Sequence, residues 1–239
     1  MIYESILEHS GKKKRLALLI DPEETGIKDI PALLKQANDA GVSLILVGGS
    51  LVNKPVDPLI TAIRDHTSSP VLLFPGNPGQ LSNNADGLLL LSLISGRNPE
   101  FLIGNHVIAA RFIKESNLEV IPAGYMLVEN GSISSVEYIS NTRPLPRDKP
   151  DIAVSTALAG EMLGLKLIYL EGGSGAQDII PPLIITAVKE NLRIPLIVGG
   201  GIRNSSDLSR VFDAGADIAV IGNAAENNPG LFKEISGLI

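Results

Sequence analysis

Tyr169-Leu170-Glu171-Gly172-Gly173-Ser174-Gly175-Ala176 reads as a buried strand that runs straight into a glycine turn. The apolar run leading into it, Leu167–Leu170, is continuous rather than alternating, as expected of a parallel strand covered on both faces. Gly172, Gly173 and Gly175 free the backbone to fold around a ligand, and N–H groups in such a turn form an anion nest. Ser174 adds a hydroxyl. Glu171 is the one ionisable group at the strand end, placed to take a proton from an attacking hydroxyl. A solvent-facing carboxylate in a loose turn is the blander reading of the same residue.

The same unit recurs along the chain. Leu16–Ile20, Leu44–Val47, Val71–Phe74, Gly87–Leu91, Val120–Ala123, Leu196–Val198 and Ile218–Ile221 are short apolar runs that end near Gly, Asp, Pro or Asn. With Leu167–Leu170 they make eight, the number a closed parallel barrel needs. Amphipathic stretches separate most of them: Ile30–Ala40, Leu59–His66, Phe101–Ser116, Ile152–Leu163, Pro182–Asn191, Ser205–Ala214 and Pro229–Leu238. The chain has 239 residues, close to the roughly 250 typical of a (β/α)8 TIM barrel, and no linker divides it, so residues 1–239 form one domain.

Two connections depart from the pattern. Pro75–Asp86, between the third and fourth strands, is too short and too rich in Pro, Gly and Asn for a crossover helix. A missing or degenerate third helix leaves an apolar groove on that side of the barrel. Val128–Asp151 is instead a long insertion, strand-like at first and then rich in Pro and charge. Long loops inside compact domains are usually functional.

Further turns at the strand ends bear on chemistry. Gly199-Gly200-Gly201 leads into Arg203 and a helix, and Ile221-Gly222-Asn223 ends the eighth strand. Glycine turns after strands seven and eight are where barrels of this architecture bind phosphate. Asp21 closes the first strand and Ser50 follows the second in Val47-Gly48-Gly49-Ser50. Together they offer two oxygen donors to a Mg²⁺ shared with substrate phosphates; a turn-capping role for Asp21 is the alternative. Arg97 is either an anion contact or a loop arginine. His9, His66 and His106 have no ligand spacing and read as structural or solvated. There is no Walker loop and no Rossmann fingerprint.

Composition narrows the partners. Net charge is −6, which argues against nucleic acid as a partner. Cysteine is absent, so there are no disulfides or thiolate metal sites, in keeping with a cytoplasmic protein. The longest apolar stretch, Gly87–Ile94, is far short of a membrane span, which leaves at most peripheral membrane contact.

Over essentially its whole length the chain resembles the geranylgeranylglyceryl phosphate synthases and the related heptaprenylglyceryl phosphate synthases. The residues that carry the resemblance are Leu19-Ile20-Asp21-Pro22, Val47–Ser50, Ser95-Gly96-Arg97-Asn98-Pro99, Tyr169–Gly175, Val198–Arg203 and Ile221–Asn223. The insertion ending in Arg143-Pro144-Leu145-Pro146-Arg147-Asp148-Lys149-Pro150 looks like that of the archaeal and Bacteroidetes-type branch. The resemblance implies transfer of a prenyl group from its diphosphate to the 3-hydroxyl of sn-glycerol 1-phosphate. It implies that Asp21 and Ser50 hold Mg²⁺ and that Glu171 receives the hydroxyl proton. Tyr169, Leu170, Glu171, Gly172, Gly173, Ser174, Gly175, Gly200, Gly201, Gly222 and Asn223 would bind glycerol 1-phosphate. A homo-oligomer, dimer or hexamer, is expected on the same ground, and Phe101 and Phe112 are candidates for lining the prenyl groove. A heptaprenyl chain in place of geranylgeranyl, a phosphosugar isomerase and a non-catalytic phosphate- or lipid-binding barrel are the competing readings.

Overall fold

In a computed structural model of the chain, which describes residues 1–222, 228 and 230–238, the eight apolar runs are eight strands. They are β1 (Arg15–Ile20), β2 (Leu44–Val47), β3 (Val71–Leu73), β4 (Gly87–Leu93), β5 (Glu119–Leu127), β6 (Leu167–Glu171), β7 (Leu196–Gly199) and β8 (Ile218–Ile221). Each pairs in parallel with the next, and β8 returns to β1 with Arg15 opposite Ile218, so the sheet closes into a barrel.

Strand side chains alternate between two packed layers. Ala17, Leu44, Leu46, Leu72, Ile121 and Val220 fill the barrel. Leu16, Leu18, Ile45, Ile168, Val198 and Ala219 face the helices. The covering helices are α2 (Ile30–Asp39), α3 (Asp57–Arg64), α4 (Asn105–Glu115), α6 (Pro150–Met162), α7 (Pro182–Asn191), α8 (Ser205–Asp213) and α9 (Leu231–Ile235). The expected closing helix Pro229–Leu238 is thus shorter, and Pro229 lies outside the described residues.

No helix covers β3. The Pro75–Asp86 connection holds only a 3-10 turn, Pro78–Gln80, as its composition predicts. Asn77 accepts a hydrogen bond from Gly79 N–H (2.8 Å) to start that turn, and Pro78 fixes its first φ.

Two elements have no counterpart in the sequence reading. Helix α1 (Ile2–His9) closes the N-terminal mouth of the barrel: Ile6 is 1% exposed and packs with the interior layer. The Glu119 carboxylate at the start of β5 accepts from the N–H groups of Ile2 (2.5 Å) and Tyr3 (2.8 Å), the free donors of that helix's first turn. The insertion, expected to begin as a strand, makes a single bridge between Val128 and Leu145 and otherwise a short helix, α5 (Ser135–Ser140). Among the described residues no helix is long and apolar enough to cross a membrane.

Candidate active site

The strands deliver their last residues to one rim, and β6 sets the pattern there. Because neighbours on a strand point to opposite faces, Tyr169 and Glu171 turn into the barrel while Leu170 turns out. Leu170 was expected among the substrate contacts; its side chain instead lies fully buried in the layer that faces the helices. Gly172 is held by its N–H to Gly199 O (2.9 Å) and does not line the cavity that opens above the rim.

That cavity has a volume of about 600 Å³ and two ends. One is polar and made of backbone: Gly173–Ala176 after β6, Gly200–Arg203 after β7 and Gly222 after β8. Gly200 (φ +87°) and Gly201 (φ +77°) adopt left-handed backbone, and a Cβ on Gly201 would overlap the Asp178 carbonyl. Only glycine fits there. Asn223, expected beside Gly222, lies outside the described residues.

The other end is apolar. It follows the outer face of β4, where Leu88 and Leu90 lack a third helix to cover them, and is walled by Leu81, Ala109 and Ile113. Phe101 lines it, as expected; Phe112 does not, and packs on the helix-facing core. Val136 and Ile139 of α5 add to the same wall, so the insertion forms part of the site. The Ser95–Pro99 motif pins that insertion down. Ser95 Oγ accepts from Leu127 N–H (3.0 Å), and Asn98 Nδ2 donates to Ser140 O (2.7 Å). Arg97 spends its guanidinium on the carbonyls of Ile94 (3.0 Å) and Gly96 (2.8 Å), away from the cavity. It is the loop arginine.

Glu171 stands between the two ends and is 6% exposed. Its Oε1 accepts from Gly173 N–H (2.6 Å). Burial drives its pKa from 4.5 up to about 7, against the hydrogen bond from Gly173 and the nearby phenols of Tyr169 and Tyr125. Those phenols are themselves raised, first by burial and then by the Glu171 charge, so both stay protonated donors. Tyr125 and Tyr169 pack on each other (5.5 Å between ring centroids) and on Phe74 (5.8 and 5.1 Å). The Tyr169 hydroxyl, though close to the carboxylate, closes no hydrogen bond of good geometry among the described residues.

Asp21 and Ser50, just past the ends of β1 and β2, line the same cavity. Asp21 Oδ1 accepts from Glu23 N–H (2.8 Å), and its pKa is raised, chiefly by burial. Its carboxylate abuts Gly49, where a Cβ would stand 2.5 Å from Oδ2. No group of three or more His, Cys, Asp or Glu side chains able to hold a metal occurs among the described residues. Two oxygen donors suit Mg²⁺, which keeps waters and phosphate oxygens for its remaining positions.

Several lining residues were not among the expected site residues: Tyr125 and Asn228, which the sequence did not single out, Arg203, named only in the turn after the seventh strand, and His106, read as structural or solvated. Tyr125 lies mid-run in a strand whose end the sequence blurs, and only the β5–β6 register, Tyr125 opposite Tyr169, reveals it. His106 is on the groove wall with Nε2 2.8 Å from Leu91 O, a structural tether. His9 and His66 likewise bond carbonyls one turn back, of Ser5 (2.7 Å) and Ala62 (2.9 Å).

Residues 9–237 match the PcrB family model. A geranylgeranylglyceryl phosphate synthase of Spirosoma linguale is 48% identical over 228 residues, 95% of this chain and 92% of its own length. That of Pyrococcus furiosus is 40% identical, covering 94% and 90%. Among solved structures, (S)-3-O-geranylgeranylglyceryl phosphate synthase of Thermoplasma acidophilum, in complex with its substrate sn-glycerol-1-phosphate, superposes with a TM-score of 0.93. It is 31% identical and covers 99% of this chain and 96% of its own. N-acetylmannosamine-6-phosphate 2-epimerase of Clostridium perfringens, 13% identical with a TM-score of 0.60, shares the fold alone. The chain belongs to the PcrB family, that of the geranylgeranylglyceryl phosphate synthases.

Proposed function

We propose that this protein transfers a prenyl group, geranylgeranyl, from its diphosphate to the 3-hydroxyl of sn-glycerol 1-phosphate, forming an ether and releasing diphosphate. The observation that carries this reading is one continuous cavity. It joins a glycine-built anion pocket to an apolar groove, with a buried carboxylate at the junction.

The glycerol phosphate would rest its phosphate on the turns after β7 and β8, with Gly200, Gly201 and Gly222 permitting close backbone approach. Ser174 and Tyr169 line the same space, Tyr169 with its hydroxyl beside the Glu171 carboxylate. Glu171, with its pKa raised to about 7, exchanges its proton in the neutral range and is a competent acceptor for the glycerol hydroxyl proton. As that proton moves to Glu171, the hydroxyl oxygen bonds to the allylic carbon and the bond from that carbon to diphosphate breaks. Asp21 and Ser50 would hold Mg²⁺, which when bound offsets charge on the departing diphosphate. The groove along β4 and α4 would bury the prenyl chain and keep the reacting carbon beside the hydroxyl.

Incubation with Mg²⁺, sn-glycerol 1-phosphate and geranylgeranyl diphosphate is expected to release diphosphate. Tight glycerol 1-phosphate binding without release, whatever the prenyl chain, would make this a binding protein. Turnover of an aminosugar phosphate instead would make it an isomerase.

A further inference from the structure

The turn that replaces the third helix also carries a side chain that bears on the other end of the site. Gln80, the last residue of the 3-10 turn, is 2% exposed and points into the protein beneath the β2 rim. Its Nε2 donates to Gly49 O (2.8 Å), while Oε1 accepts from Gly49 N–H (3.2 Å) and Gly76 N–H (3.3 Å). One amide therefore satisfies both polar groups of Gly49 and ties that residue to the β3–β4 connection. Gln80 itself is not among the residues that line the cavity.

What it holds is the wall between Asp21 and Ser50. A Cβ on Gly49 would stand 2.5 Å from Asp21 Oδ2, so the glycine backbone is packed directly on that carboxylate. From the other side, a Cβ on Gly76 would meet Gly49 O at 2.5 Å and Ser50 O at 3.0 Å. Three chain segments thus converge with no spare room, and the Gln80 amide is their shared hydrogen-bonding partner. Shape fixes the distances, and the amide fixes the orientation of the Gly49 peptide.

We propose that Gln80 is a positioning residue for the diphosphate end of the reaction: its amide sets the Gly49–Ser50 turn so that Ser50 and Asp21 present their oxygens together. The inference rests on the reading of Asp21 and Ser50 as the diphosphate and Mg²⁺ side of the site. It also gives the absent third helix a second consequence, since a helix there would not place this amide under β2.

Gln80→Met keeps the length and burial of the side chain and removes the amide. Binding of inorganic diphosphate with Mg²⁺, read by calorimetry, is expected to weaken about tenfold or more, as for loss of a buried hydrogen-bond pair. The KM for prenyl diphosphate should rise in parallel. Affinity for sn-glycerol 1-phosphate, measured without Mg²⁺, should stay within about twofold, because among the described residues the Gln80 amide bonds Gly49 and Gly76 and none of the turns after β6, β7 and β8. Gln80→Glu keeps the length and the acceptor oxygens but, when ionised, cannot donate to Gly49 O, should show the same selective loss, and carries the test if Gln80→Met does not fold. Equal weakening of both ligands would reduce Gln80 to a core residue, and no change in either would remove the role. A wild-type chain that binds glycerol 1-phosphate but no diphosphate would sink the underlying assignment; a wild type no tighter for diphosphate than Gln80→Met sinks the clamp alone.

Discussion

Glu171 is costly where it stands. A carboxylate that is 6% exposed, with a pKa near 7 instead of 4.5, binds a proton in the folded chain over a pH range in which the unfolded chain has released it. Stability therefore falls as pH rises from about 4.5 to about 7, by about 3 kcal/mol in all, and stays at the lower level above that. The same shift makes Glu171 a useful base, since the proton acceptor is matched to neutral pH. Both consequences are testable in one variant. Glu171→Gln should lose about 10²-fold or more in turnover while keeping affinity for glycerol 1-phosphate. Against wild type it should gain stability between pH 5 and pH 8, in urea denaturation followed at both. Wild-type kcat should rise with pH through an inflection near 7. A stability difference that ignores pH, or unchanged turnover, would remove Glu171 from the role of buried base. The sequence located this residue from its neighbours alone. It could not separate Glu171 from Leu170 as a ligand contact, because which way a strand residue faces is fixed by the barrel's register and not by its run of apolar letters.

Helix α1 makes the corresponding point for elements. The strands were legible because burial on both faces demands uninterrupted apolar runs, and the missing third helix because Pro and Gly forbid one. The N-terminal helix was not, since its eight residues bury little: Ile6 is its one fully buried side chain, and Leu7 beside it is exposed. Its helicity is tertiary in origin, from Ile6 in the barrel mouth and Glu119 capping the first turn. Helix α5 escaped for the same reason, six residues whose cap, Ser134 to Glu137 N–H (3.2 Å), is visible only once folded. Ile6→Ala should cost about 2–5 kcal/mol by leaving a cavity in the interior layer. Activity at low temperature should stay near wild type, since α1 sits at the opposite rim from the site. Denaturation midpoints with parallel kinetics would check this; loss of activity without loss of stability would mean that the plug reaches the catalytic end.

At the scale of the whole molecule, the closed barrel assigns its two ends to different tasks. The N-terminal rim is a structural seal. Asp217, 3% exposed, accepts from Lys189 Nζ (2.5 Å), Gly11 N–H (2.7 Å) and Leu196 N–H (2.8 Å), and these partners hold its pKa down despite burial. Freed of that work, the C-terminal rim holds glycines and a buried carboxylate, and on the proposed function a chain of net charge −6 would meet its anionic substrates there with backbone N–H groups. The apolar groove leaves the rim and descends the outside of β4, because one of the eight covering positions is empty. Along α4 its wall is Asn105, Ala109 and Ile113, one residue per turn, which spans about 12 Å from rim to depth. Depth along this helix should therefore set prenyl length. Filling it one turn above its deepest wall residue, with Ala109→Phe, should exclude the last unit of a geranylgeranyl chain. Burial of five carbons contributes about 4 kcal/mol, so kcat/KM for geranylgeranyl diphosphate should drop about 10³-fold. Farnesyl and geranyl diphosphates, which end higher in the groove, should keep most of theirs. A series of diphosphates from geranyl to heptaprenyl, assayed with wild type and variant at matched thermal stability, reads the effect directly. A uniform loss across the series would mean that the phenylalanine disturbs the rim, and no loss at any length would place the prenyl chain somewhere other than between β4 and α4.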